Sequence, residues 1–153
     1  MSFEVIKKYD GFSCCFRQWR ADGTHCKYLH GYGVSFELCF IGDLDSRNWV
    51  FDFGGMKRAK AKIDDMNPSD WFKYMFDHTT IIANDDPMMD NFMAMSGLGM
   101  IQLRILPDVG AERFAEFIFK KIHYFLKEET EGRVRLKWVR FMEHDKNSAV
   151  YGI

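Results

Sequence analysis

The segment Cys26–Tyr32 reads CKYLHGY and leads into residues 34–40, which read VSFELCF. Apolar and polar side chains alternate along residues 34–40, and this pattern predicts a β-strand with one buried face. His30 and Tyr32 share the parity of Val34, so we expect both side chains to project from that buried face. Two side chains at i and i+2 on one face of a strand can share a ligand, which is the geometry that a strand-borne metal site needs.

The bulk composition favours one soluble domain spanning residues 1–153, long enough to bury a hydrophobic core. Hydrophobic residues make up 47% of the chain and charged residues 28%, and the net charge is −1. This charge gives no electrostatic reason to expect a nucleic acid or an anionic membrane as a partner. No signal peptide and no apolar stretch of the ~18–20 residues of a membrane span are recognisable, and the four cysteines lack CxxC spacing. We therefore expect reduced thiols and a cytoplasmic location.

The apolar pattern predicts hairpins of strands at both ends of the chain and two helices between them. Strands are expected at 3–9, 12–19, 30–41, 133–143 and 148–153, with a turn at Asp10-Gly11, and helices from Met56 to Met66 and over 110–128. A change of apolar parity near Trp138–Val139 predicts a β-bulge there. Consecutive strands favour antiparallel pairing with both helices on one face, an α+β domain. The Met-rich insert 88–100 is either a packing segment or a mobile lid.

Five features could carry chemistry, although each has a structural explanation as well. Cys26 lies between a histidine and a lysine, neighbours that favour a thiolate, and His30 could ligate a metal. The carboxylate of Asp77-His78 could orient its neighbouring imidazole as a general base. Glu143, near the end of a strand, could accept two hydrogen bonds from a guanidine-like ring edge. Glu112 opens the second helix, where the helix dipole alone accounts for an acidic residue.

The order of these features along the chain resembles that of the 6-pyruvoyl-tetrahydropterin synthase and 6-carboxytetrahydropterin synthase family. Phe12–Arg17 is similar to the family motif Phe-x-Ala-Ala-His, and His25–Tyr32 is similar to Cys-x-x-Leu-His-Gly-His. The resemblance covers nearly the whole chain. Further matching segments are Asn48–Lys57, Phe76–His78, Ile81–Pro87, Val109–Ala115 and Met142–Glu143.

This resemblance implies the tunnelling fold, a four-stranded antiparallel sheet with two helices on one face. Subunits of this fold assemble into a β-barrel, typically a hexamer of two trimers with active sites at subunit interfaces. The implied activity is that of a pterin-forming lyase acting on 7,8-dihydroneopterin triphosphate or a related pterin. By position, Cys26 would be the thiolate general base, Asp77 and His78 the proton relay, and Glu143 the pterin anchor. Glu112 also matches the family pattern and is a second candidate for substrate binding.

The family holds a zinc ion with three histidines, and this chain departs from that pattern. The matching positions are Phe16, His30 and Tyr32, so only His30 is an ordinary zinc ligand. Tyr32 could bind only as a phenolate, and Phe16 cannot bind at all. Rescue ligands are conceivable from the neighbouring sequence: Cys14, Gln18 and His25. Gly110 and Ala111 also stand where the family has two hydroxyl residues.

Three functions remain open from the sequence. The first is a lyase of the family type, favoured because Cys26, Asp77, His78 and Glu143 all stand at matching positions. The second is a non-catalytic pterin- or purine-binding protein that has lost the zinc site. The third is an enzyme that works without metal, in which Tyr32 binds substrate oxygens by donating a hydrogen bond.

Overall fold

Six strands and four α-helices follow one another in the computed structural model, which describes all residues from 1 to 153. A single 3₁₀ turn, His25–Lys27, lies between the first two strands. The strands are β1 (Phe3–Phe16), β2 (His30–Gly42), β3 (Thr79–Ala83), β4 (Leu103–Leu106), β5 (Val134–His144) and β6 (Asn147–Gly152). The helices are α1 (Gly55–Arg58), α2 (Pro68–Phe76), α3 (Met89–Gly97) and α4 (Ala111–Glu129).

All six strands belong to one sheet, in the order β4-β3-β1-β2-β5-β6. The strands β1, β2, β5 and β6 pair antiparallel, which confirms the predicted α+β class with its four-stranded antiparallel sheet. Two short strands extend this sheet, because β3 pairs parallel to β1 and β4 pairs parallel to β3. The alternation pattern could not reveal β3, since all five of its residues are buried and its sequence TTIIA does not alternate.

The first strand is continuous, so the turn predicted at Asp10-Gly11 is wrong. Tyr9 pairs with Phe36 and Phe12 pairs with Val34, which leaves one extra residue on β1. Gly11 has φ +81°, a left-handed conformation that glycine adopts without steric cost. The dipeptide therefore forms a β-bulge that changes the parity of β1.

The β-bulge predicted near Trp138–Val139 is confirmed in β5. Cys39 pairs with Trp138 and Phe40 pairs with Leu136, so Lys137 is the extra residue. This bulge keeps Leu136 and Val139 on the buried face, although three positions separate them.

Helices α2 and α4 cover one face of the sheet and form most of the core with it. The predicted second helix is confirmed as α4, whose buried residues include Phe114, Ile118 and Ile122. The predicted helix from Met56 to Met66 is helical only over Gly55–Arg58. The chain leaves the helical conformation at Ala59, whose ψ is 145°. Further on, Asp64 and Asp65 have positive φ, and a bridge between Ile63 and Met66 closes a tight turn. None of the helices combines the length and the apolar character needed to cross a lipid bilayer.

The Met-rich insert contains helix α3. Only Phe92 of this helix is buried, while Met88, Met93 and Met100 are exposed. The Phe92 ring lies beneath the guanidinium group of Arg17, at 5.9 Å from the ring centre, so the insert is attached to the end of β1. The insert therefore packs through one aromatic side chain and leaves its methionines in solvent.

Candidate active site

The pairing of β1 and β2 brings the three family zinc positions together. Phe16 lies directly opposite His30, and Cys14 lies opposite Tyr32. The Phe16 ring stacks on the Tyr32 ring at 4.8 Å and meets the edge of Phe114 from α4 at 4.9 Å. Phe16 is only 1% exposed, so its ring belongs to the core. We call Phe16, His30 and Tyr32 the aromatic corner.

Both ring nitrogens of His30 are engaged by protein groups. Nδ1 lies 2.6 Å from the carbonyl oxygen of Tyr28, which can only accept, so Nδ1 carries a proton. In the neutral ring Nε2 then accepts a hydrogen bond from the Tyr32 hydroxyl. Burial raises the pKa of Tyr32 to about 12, and the nearby negative charges of Glu143 and Cys26 act in the same direction. Tyr32 is therefore a neutral phenol at pH 7 and not a phenolate ligand.

The conceivable rescue ligands do not complete a zinc site. Burial, followed by the charges of Cys15 and Asp77, raises the pKa of Cys14 to about 12, so Cys14 holds its proton. His25 is exposed in the 3₁₀ turn. No group of three or more His, Cys, Asp or Glu side chains is placed to hold a metal ion. The donor set of the aromatic corner does not fit the family's zinc ion.

Gln18 packs against the start of helix α4. A Cβ atom at Gly110 would lie 2.7 Å from Nε2 of Gln18, and Gly110 has φ +133°. Glycine at this position therefore makes room for the Gln18 side chain and permits the backbone conformation. This contact accounts for one of the two lost hydroxyl residues, while nothing in the structure explains the alanine that follows it.

Two carboxylates lie beside the aromatic corner. Glu143, on β5, has the parity of the buried Phe141, and Glu112 lies in the first turn of α4. Burial raises the pKa of Glu143, and the negative charge of Glu112 raises it further, against the lowering effect of His144 and His30. No hydrogen bond contributes to this shift, so the Glu143 carboxylate is free to accept hydrogen bonds from a ligand.

The Asp77-His78 pair is held in a turn between α2 and β3. Asp77 Oδ1 accepts a hydrogen bond from the Ser13 amide at 3.2 Å and lies 3.0 Å from Nδ1 of His78. The His78 amide donates to the Ser13 carbonyl at 2.5 Å, and Gln102 donates to the His78 carbonyl at 3.0 Å. His78 has φ +57°, and its side chain is 78% exposed. The pair is thus an oriented imidazole with an open Nε2, the geometry of a general base.

Cys26 lies at the rim of the aromatic corner. The Thr24 hydroxyl accepts from the Cys26 amide at 3.2 Å, and the Cys26 carbonyl accepts from the Gln18 amide at 2.8 Å. The thiol is exposed, and its charge is close enough to influence Tyr32. Within the chain, no hydrogen bond joins the thiol to Asp77 or His78. The residues predicted to transfer protons, Cys26, Asp77 and His78 (the proton-transfer set), are therefore accessible to solvent. Within one chain, however, no hydrogen bond connects Cys26 to the other two.

The sequence reasoning missed a buried ion pair next to this corner. Arg17 donates to Asp86 through Nε at 2.7 Å and through Nη2 at 2.5 Å, and Asp86 is 3% exposed. Burial alone would raise the pKa of Asp86, but hydrogen bonds from Arg17 and the Met88 amide outweigh it, so this pKa lies below its usual value. A cavity of about 350 Å³ lies beside the pair, and both Arg17 and Gln18 line it. The acidic dipeptide Asp85-Asp86, which follows the buried strand β3 closely, is the sequence feature that could have indicated this ion pair.

The comparisons with known proteins identify the family of the chain. The family described as 6-pyruvoyl tetrahydropterin synthase matches residues 5–152. No curated protein is significantly similar to the chain in sequence.

Solved structures of 15–17% sequence identity share the tunnelling fold that the resemblance implied. An uncharacterized protein from Wolinella succinogenes is 17% identical, with a TM-score of 0.78 over 99% of this chain and 98% of its own. The 6-pyruvoyl tetrahydropterin synthase of Plasmodium vivax is 16% identical, with a TM-score of 0.66 over 100% and 99%. The enzyme of Caenorhabditis elegans is 15% identical, with a TM-score of 0.60 over 100% and 95%. Because the family match spans nearly all of its residues, the chain belongs to the 6-pyruvoyl tetrahydropterin synthase family.

Proposed function

We propose that this protein is a pterin lyase that uses its own side chains where other members of the family use zinc. Its substrate is 7,8-dihydroneopterin triphosphate or a closely related pterin. One observation carries the proposal: the Cys26 thiol is exposed, Asp77 orients a mostly exposed His78 ring, and no hydrogen bond within the chain engages the Glu143 carboxylate. The family supplies the class of chemistry, and this arrangement supplies the residues for it.

Glu143 anchors the pterin ring in this proposal. A carboxylate can accept two parallel hydrogen bonds from the N–H groups of a guanidine-like ring edge. The charge of Glu112 makes the electrostatic potential at Glu143 more negative, since it raises the pKa of Glu143. The side chain of the bound pterin then extends toward Tyr32, because Glu143 is close enough for its negative charge to raise the pKa of Tyr32.

Cys26 removes a proton from a side-chain carbon of the pterin. The electron pair of that C–H bond forms a double bond as the triphosphate leaves from the neighbouring carbon. Asp77 holds the His78 ring through Nδ1, so that Nε2 exchanges a proton with a side-chain hydroxyl of the substrate. The thiolate and the imidazole thus divide the proton transfers between two atoms of the substrate.

Tyr32 and His30 form one hydrogen-bonded unit at the position of the family's zinc. The Tyr32 hydroxyl donates its proton to His30, and its oxygen keeps lone pairs that can accept from a substrate hydroxyl. This differs from the donor role that the sequence suggests, because His30 already takes the proton. An acceptor of this kind orients the substrate hydroxyl but does not stabilise developing negative charge as a divalent cation does, so we expect slower turnover than in a zinc enzyme.

Subunit assembly is part of the proposal. Since no hydrogen bond joins Cys26 to His78 in one chain, the relay of one subunit would serve the thiol of another. The family's hexamer of two trimers is the assembly that we expect, and light scattering measures its mass. The cell compartment that we propose is the cytoplasm, where the four free thiols stay reduced.

A turnover assay combined with metal analysis tests this function. Purified protein is incubated with 7,8-dihydroneopterin triphosphate, and the product is followed by absorbance with chelator, without additions and with added zinc. We expect the same turnover in all three conditions and less than stoichiometric zinc by elemental analysis. Absence of turnover in every condition would contradict the lyase.

The loss of two ligand positions favours one second candidate, a pterin- or purine-binding protein without catalysis. Calorimetry would then show pterin binding in a protein that gives no product. A Glu143→Ala variant separates this candidate from weak surface binding, since the anchor carboxylate is required by both proposed functions. Unchanged pterin affinity of that variant would count against both.

A further inference from the structure

A basic cleft lies on the helix side of the sheet, away from the aromatic corner. It is formed by the first half of β1, by α1 and by the start of α2, and its volume is about 560 Å³. This volume falls within the ~300–1,000 Å³ of small-molecule sites. The cleft reaches along β1 as far as Phe12, four residues before Phe16, so its near edge lies roughly 13 Å from the aromatic corner at the usual rise of a strand. The charged residues that line it are Lys7, Lys8, Lys57, Arg58 and Lys73, with Asp10 and Asp70.

The cationic side chains of the basic cleft are mostly unpaired. None of the four lysines takes part in a salt bridge, whereas Arg58 pairs with Asp52 at 3.1 Å. Of the two carboxylates, Asp70 already accepts a hydrogen bond from Asn67 at 2.9 Å. Several like charges held around one cavity repel one another unless an anion neutralises them. In a chain of net charge −1, this concentration of unpaired lysines indicates an anionic ligand.

We propose that the basic cleft is a second ligand site that binds an oligophosphate anion, with Lys7, Lys57 and Lys73 as its cations. Phosphate oxygens are the acceptors that suit lysines as point charges. Two or three linked phosphates spread charge over the distance between β1 and the helices, which a single phosphate does not. The Ser69 hydroxyl, in the first turn of α2, adds a further donor on the opposite wall.

Calorimetry with inorganic triphosphate, pyrophosphate and phosphate tests this site. We expect affinity to fall in that order and to weaken as salt is added, since exposed charges are screened. The double variant Lys57→Glu/Lys73→Glu should bind triphosphate at least about tenfold more weakly, because two attractive charges become repulsive. The control Lys127→Glu/Arg135→Glu changes the net charge equally outside the cleft and should bind as the unmodified protein does. Equal affinity of the two double variants would overturn the proposal.

Two further experiments test whether the basic cleft is independent of the proposed lyase site and whether its phosphate ligand belongs to a membrane surface. Lys57→Glu/Lys73→Glu should turn over the pterin at the normal rate, and loss of turnover with intact triphosphate binding would overturn the assignment. Sedimentation with phosphatidylserine vesicles tests a membrane surface as the source of phosphate. Binding to vesicles without binding to triphosphate would also overturn it.

Discussion

The aromatic corner and the proton-transfer set come from the same family motifs but have opposite environments. In the aromatic corner, Phe16 is buried under α4, and both nitrogens of His30 are hydrogen-bonded within the chain. In the proton-transfer set, the Cys26 thiol is exposed and the His78 ring lies mostly in solvent. The aromatic corner is held by contacts within the chain, and its Phe16 ring lies in the core, whereas the thiol and the imidazole face solvent.

This difference separates residues that packing explains from residues that it does not. A phenylalanine and a tyrosine at the ligand positions gain ring contacts, which stabilise the fold without a metal. The exposed thiol and imidazole contribute little to stability, so their presence points to chemistry. The backbone contacts that hold them, from Thr24 to Cys26 and from His78 to Ser13, position reactive groups that the core does not need.

The largest expected effect is the loss of the thiol. Cys26→Ala should lower kcat by about 10²–10⁴, the range for a removed general base, while thermal stability stays the same because the side chain is exposed. Turnover and thermal melts measure the two quantities. Cys15→Ser is the matched control, since serine can keep the hydrogen bond to Thr80. If Cys26→Ala keeps more than a tenth of the activity, the thiol is not the base.

Histidines at positions 16 and 32 should turn the aromatic corner into a zinc site. The double variant Phe16→His/Tyr32→His should bind one zinc ion per chain, because these positions meet His30 across the β1–β2 pair. Without zinc it should be less stable by about 2–4 kcal/mol, since an imidazole replaces a buried ring. Elemental analysis and melts with and without zinc give both values. Each single variant, with two histidines, should bind zinc weakly. Stoichiometric zinc in the unmodified protein would show that the aromatic corner is still a metal site.

A smaller effect is expected when the hydroxyl of the corner is removed. Tyr32→Phe keeps the stacking on Phe16 but loses the hydrogen bond to His30 and the acceptor for the substrate. We expect kcat/KM to fall roughly twofold to tenfold, the value of one neutral hydrogen bond. The fold should remain intact by circular dichroism. An unchanged rate would mean that the corner only packs.

The smallest effect concerns the pH dependence of pterin binding. The anchor must be ionised, and burial together with Glu112 raises the pKa of Glu143. Affinity should therefore fall, as the solution is acidified, at a higher pH than for an ordinary glutamate. Glu112→Gln removes one of the two causes, so its acid limb should move to lower pH. Calorimetry across the acid range measures this, and an unmoved limb would show that the two carboxylates do not interact.

The sequence predicted the parts of this protein that follow from periodicity and from the order of motifs. The alternation along β2 placed His30 and Tyr32 on the buried face, and the parity change in β5 revealed its bulge. The helix predicted over 110–128 agrees with α4, Ala111–Glu129, to within one residue at each end. Local pattern failed at Asp10-Gly11 and beyond Met56, where turn-forming residues are used for a bulge and for an aspartate turn.

The tertiary structure decided what the lost zinc ligands have become. Sequence alone left rescue by Cys14, Gln18 or His25 open, because the distances among side chains on different elements are not encoded in spacing. In the folded protein α4 packs on Phe16, and Tyr32 is hydrogen-bonded to His30, so these side chains do not provide the donor set of a zinc site. The basic cleft could not be foreseen either, since its lysines come from three elements. Periodicity acts between neighbours along the chain, whereas burial, charge and hydrogen bonding at a site depend on segments that meet only in the folded protein.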